Sequence, residues 1–125
     1  MTGNDALKQA LNLLNYTDAN GNISAANNAN LTKRALPLIN QIYADLWEPR
    51  GTNTAFSPLK SLGESLDLDS TVCFNVLPYG VAMMLAASDG DADNQSFYAQ
   101  LYNQRRPSAF KQGGRIQDRL PRTFL

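Results

Sequence analysis

Apolar residues in this chain return every three or four positions in four separate stretches, and that period commits it to helices. Leu7, Ala10, Leu11 and Leu14 hold the i, i+3, i+4, i+7 spacing behind Asn4 and Asp5, both good helix-capping residues, so Asp5 to about Asn15 is predicted as a short amphipathic helix. The cluster from Tyr16 to Asn22 ends it. A second helix is expected to begin between Ser24 and Asn28 and to run to Trp47, with Leu31, Ala35, Leu38, Ile42 and Leu46 on one face and Leu36, Ile39 and Tyr43 widening it. Pro49 and Gly51 stop it.

The pattern then breaks. Residues 48–69 carry Pro49, Gly51, Pro58 and Gly63, with Leu59, Leu62, Leu66 and Leu68 as anchors, and read as a long packed connection holding a short strand or one turn of helix. A third helix is expected from Asp69 or Ser70 to Ser88. Being apolar almost all round, it should be the central one. The acidic turn Asp89, Gly90, Asp91, Ala92, Asp93 leads into a fourth helix, Ala92 to Arg106, where Phe97, Leu101 and the Tyr98/Tyr102 pair form an i, i+4 stripe. Its acids at the start and Arg105-Arg106 at the end both suit the helix dipole. Pro37 and Pro78 fall inside helical patterns and should kink or break them. The expected fold is an all-α, compact bundle of about four helices.

With 125 residues the chain fits one domain. No apolar run reaches the roughly 18 residues expected of a membrane span, and the N-terminal sequence lacks a basic-then-apolar secretion signal. The one cysteine, Cys73, excludes an internal disulfide, and its apolar flank marks a buried small hydrophobe. An intracellular, reducing site of synthesis fits.

The formal charge is zero, yet it is divided. Residues 1–104 hold five basic and ten acidic residues, whereas Arg105 to Leu125 hold six basic residues and one acid, Asp118. A basic tail therefore extends from an acidic body, and the chain divides into a helical body, 1–106, and a C-terminal arm, 107–125. The arm's prolines and paired glycines cannot build a core, so it should dock on something else. Lys111, Arg115, Arg119 and Arg122 would line one face of an arm helix, a charge pattern that suits phosphates or an acidic protein equally. Phe110, Ile116, Leu120 and Phe124 favour a protein groove, because an arm tracking phosphates needs no periodic apolar residues.

Chemistry finds little support. With no histidine and one cysteine, a His/Cys zinc site or a serine or cysteine nucleophile with a histidine base cannot be assembled in one chain. Asp89, Asp91 and Asp93 have the alternating spacing of a calcium loop, but Asn94 stands where the loop needs glycine and Gln100 where it needs glutamate, so a helix-capping turn or an acidic interface is the preferred reading, with weak cation binding as the alternative. Gly113-Gly114 lacks the strand before it and the Lys-Ser/Thr after it that a phosphate loop requires. No enzyme, metal or cofactor is expected.

The order of these helices resembles a known family. A short Ala/Leu helix comes first, followed by Ala35-Leu36-Pro37-Leu38-Ile39-Asn40-Gln41-Ile42-Tyr43-Ala44-Asp45-Leu46-Trp47 and a Leu/Pro loop. Leu77-Pro78-Tyr79-Gly80-Val81-Ala82-Met83-Met84-Leu85-Ala86, an acidic turn and Phe97-Tyr98-x-x-Leu101-Tyr102 complete the series. Over residues 5–106 this is similar to the small head-to-tail connector, or head completion, proteins of tailed bacteriophages and prophages. The resemblance implies an all-helical virion subunit, made in the bacterial host cytoplasm, that forms a ring with copies of itself, binds the portal protein, closes the head and receives tail components. It also implies that the arm docks on the portal or a neighbouring subunit. The alternative is a small nucleic-acid-binding or regulatory protein-interaction module using the same arm.

Overall fold

The computed structural model describes residues 1–14, 25–47 and 55–113, and their side chains except at 25–32 and 111–113. Five α-helices follow in order: α1 Gly3–Leu13, α2 Ala25–Leu46, α3 Ser70–Asn75, α4 Leu77–Ser88 and α5 Ala92–Arg105. A 3-10 segment, Arg106–Gly113, continues from the last. The expected third helix is thus α3 and α4 in succession, and the all-α bundle is as expected from the periodicity.

α1 begins earlier than Asn4 and Asp5 suggest. Thr2 is its cap, accepting from the Asp5 amide while the Asp5 carboxylate accepts from the Thr2 amide, a reciprocal capping box. Met1 to Asn4 also run beside residues 62–66: Leu66 donates to the Met1 carbonyl, Gly3 to Glu64 and Asn4 to Leu62. An isolated antiparallel bridge, Thr2 with Ser65, is the only strand-like pairing among the described residues. Gly3 permits this approach, since a Cβ there would lie 3.1 Å from Leu62 backbone atoms.

α2 passes through Pro37 without ending. Pro37 is exposed, as is Lys33, whose carbonyl would otherwise receive the missing N–H, so water can take its place. The buried face is Ala35, Ile39, Ile42, Tyr43 and Leu46, while Leu36 and Leu38 lie at its margins. Asn40 then clamps the connection: its amide donates to the Leu59 carbonyl at 3.0 Å and accepts from the Leu59 N–H at 2.8 Å. Tyr43 accepts from the Asp67 amide, and Phe56 stands edge-on to Tyr43 and near Trp47, so the described part of the long connection is held to α2 at several points.

Pro78 does break its helix. It falls in the first turn of α4, where its missing N–H costs nothing, and Val76 leaves helical geometry at φ −124°, ψ −53°. Ser70–Ser88 as a whole is apolar enough to reach membrane-span composition, with mean hydropathy 1.5, but it is two helices and 56% of it is buried within the protein. α4 is the central element: it meets α1, α2, α3 and α5. At Gly80 it approaches α2 and α5 closely enough that a Cβ would meet Ile42 and Tyr102.

The turn after α4 is accounted for by two caps. Gly90, at φ +74°, follows the last turn; its N–H reaches the Ala87 carbonyl and the Asp91 N–H reaches Ala86, the paired bonds of a Schellman motif. Asp91 then caps α5, accepting from the Asn94 amide and side chain. Arg34 of α2 donates to the carbonyl and hydroxyl of Ser88, where α4 leaves carbonyls without helical partners.

Candidate docking surface

On α5 the buried half of the aromatic stripe is Tyr98 and Tyr102, and each phenol ties the helix to another. Tyr98 donates to the Leu13 carbonyl at the end of α1. Tyr102 donates to Asp45 of α2, and Arg106 grips the same carboxylate with Nε at 2.7 Å and Nη2 at 3.0 Å. Hydrogen bonding from Arg106 foremost, and from the Tyr102 hydroxyl, holds the Asp45 carboxyl below its usual range against a desolvation that opposes it. Burial, and then the adjacent Asp45 carboxylate, push the Tyr102 phenol well above its usual value, so it stays protonated as the donor.

Phe97 turns the other way, and Leu101 lies half-buried at the margin of the core. Phe97 is 53% exposed and lies edge-on to Tyr98 at 5.0 Å, and Tyr98 in turn is near Tyr79 of α4. Arg105 stacks over the Tyr79 ring at 4.2 Å and donates to the Asn75 carbonyl at 3.1 Å. That carbonyl is available because the break at Val76 redirects the Tyr79 N–H to Val76. Phe74, in α3 just before the break, is on the surface and 56% exposed. Phe74 overhangs two open grooves along α1. One, of about 580 Å³, is lined by Met1, Asp5, Lys8, Gln9 and Asn12; the other, of about 350 Å³, by Gln9, Asn12, Leu13, Pro78 and Tyr79. Aromatic rings and one arginine, with amides and the charged Asp5 and Lys8 of α1 beside them, thus line a surface across α1, α3, α4 and α5, and aromatics and arginine are the types enriched where proteins bind proteins.

The residues singled out from the sequence lie elsewhere. Asp91 is a helix cap, Asp93 is exposed in the first turn of α5, and Asp89 ends α4. No group of three metal-ligating side chains occurs among the described residues. Phe110 is half-buried on the body with the Arg106 guanidinium over its ring at 5.0 Å, and Ala109 beside it is buried. The first residues after 106 therefore lie against the body, not free of it. Lys111 belongs to the 3-10 segment, and its side chain is outside the description, as are Arg115, Ile116, Arg119, Leu120, Arg122 and Phe124.

Sequence reasoning missed Phe74, grouping it with the apolar flank of Cys73. The available signal was Pro78, four residues on, whose ring excludes the Phe74 carbonyl from a continuous helix. Cys73 itself is buried, with its thiol pushed up by desolvation. Comparison with protein-family models, curated proteins and solved structures finds no match for this chain.

Proposed function

We propose that this protein is a non-enzymatic assembly subunit that works by docking on other proteins, and specifically a head-to-tail connector or adaptor of a tailed phage or prophage. In that role it would be made in the host cytoplasm, join the portal and copies of itself, close the head and end in the virion. The observation that carries the docking reading is the exposed pair Phe74 and Phe97: Phe97 connects through Tyr98 to Tyr79, under Arg105, and Tyr79 lines one groove with Phe74. Large aromatic side chains and arginine provide most of the binding energy in many protein interfaces. The finer assignment rests on the resemblance of helix order.

The basic C-terminal segment supports the same preference over a nucleic-acid arm. One of its six cations, Arg106, is already paired on the body with the Asp45 carboxylate. Fewer charges are left to neutralise phosphates.

The test begins with the gene neighbourhood and ends with a binding assay. A coding sequence flanked by portal, capsid and tail genes directs co-expression with that portal, where a defined oligomeric complex is expected, lost when the chain is cut after Gly113. Metabolic or regulatory neighbours, with retention on DNA that falls steeply with salt, would replace this reading with the nucleic-acid one.

A further inference from the structure

We propose that α5 carries a self-complementary stripe through which two copies of this chain pair about a two-fold axis. Asp93, Phe97, Leu101 and Arg105 are spaced by four residues and so form one ridge of the helix, about 18 Å from end to end. Asp93 is exposed and Phe97 is 53% exposed, while Leu101, packed partly against the core, and Arg105, over Tyr79, are half-buried, so the ridge is open at its first half and partly open at its second.

The order along the ridge is acid, apolar, apolar, base. Turning a second α5 end for end about the midpoint sets Asp93 against the partner's Arg105 and Phe97 against the partner's Leu101, and then repeats both pairs by symmetry. An isologous contact needs that property, since the same patch must complement itself. A parallel or slipped arrangement would put acid against acid or leave Phe97 in water. Arg105 can serve both contacts, because its bond to Asn75 uses Nη1 alone and a guanidinium has five N–H donors. Its stacking on Tyr79 and its bond to Asn75 hold the charge in place before a partner arrives, which lowers the ordering cost of pairing.

Such a pair closes at two copies and builds no ring; it rests on the docking reading of the same Phe97 and Arg105 surface and names a second copy as an occupant, and the oligomeric state of the chain alone tests it apart from portal binding. Sedimentation equilibrium of the full chain, from about 1 μM to about 1 mM, covers the range expected of a small helix-to-helix contact. A reversible monomer–dimer equilibrium is expected. Because every substitution enters the interface twice, Phe97→Ser and Asp93→Lys should each weaken the dimer by about tenfold or more. Asp93→Lys combined with Arg105→Glu should recover much of the loss. Since Arg105 also holds Asn75, circular dichroism melting checks the double variant, and the two single variants decide if it is unfolded.

A monomer across the whole range overturns the proposal. So does a dimer indifferent to both single substitutions, which would place the contact elsewhere. A full chain that stays monomeric while the chain cut after Gly113 dimerises also overturns it, with residues 114–125 as the stripe's occupant.

Discussion

Gly80 shows how a single position can decide whether three helices meet. A Cβ there would stand 2.8 Å from Ile42 Cγ2 and 2.8 Å from the Tyr102 ring, and Tyr102 cannot swing aside while its hydroxyl is held by Asp45. Alanine is the better helix former by about 1 kcal/mol, yet overpacking costs about 1–3 kcal/mol. Gly80→Ala should therefore destabilise by as much as about 2 kcal/mol, read as a lower urea midpoint, and a raised midpoint would mean the helices separate easily. Asp45 gives a pH signature. Its folded-state pKa lies below the ordinary 3.8, chiefly through Arg106, so its stabilising contribution is present above the unfolded value and disappears as pH falls through the folded one. The stability gap between the native protein and Asp45→Asn should thus be widest near neutrality and shrink below about pH 4. The carboxylate is 40% exposed, so that gap will be modest.

Elements were legible in the sequence wherever one face had to be apolar, and less so where local chemistry sets an end. The four helical stretches follow directly from the spacing of Leu7 to Leu14, Ala35 to Leu46, Val76 to Ala87 and Phe97 to Tyr102. The start of α1 did not, because Thr2 and Asp5 form a capping box in which Asp5 is the third residue in from the cap and not the cap itself. Which half of an apolar stripe is buried was also illegible: Ile39, not Leu38, points inward on α2, and Tyr98 and Tyr102 displace Phe97 on α5 because their hydroxyls find Leu13 and Asp45. Exposure of Phe97 is a product of that tertiary choice, so its place on a docking surface could not be read beforehand. The connection to α3 depends on a polar clamp that periodicity does not reveal. Asn40→Ala would leave both the N–H and the carbonyl of Leu59 without their partner, at about 1–3 kcal/mol. Limited proteolysis should then cut the 55–69 region faster than in the native chain, and equal rates would show the clamp to be dispensable.

For the whole molecule, the decisive question is where the body ends. Charge and composition put the boundary after residue 106, but the 3-10 segment continues the body's packing. Arg106 bridges α5 to α2 through Asp45, its guanidinium covers Phe110, and Ala109 is buried. This closes the bundle at the end where α2 finishes, and it leaves Tyr102 and Arg106 sharing one carboxylate. Cutting the chain after Arg105 removes the ion pair, the Ala109 contact and the ring of Phe110. It also leaves Asp45 with Tyr102 as its remaining hydrogen-bond donor of the cluster. An exposed pair contributes up to about 1 kcal/mol, and burial of these apolar groups adds about as much again. The chain ending at Arg105 should therefore unfold at a lower urea concentration than the chain ending at Gly113, by about 1–2 kcal/mol, and Asp45→Asn should cost less in the shorter chain than in the longer one because its strongest partner is already gone. Equal midpoints for the two truncations would return the boundary to residue 106 and make the 3-10 segment part of the arm.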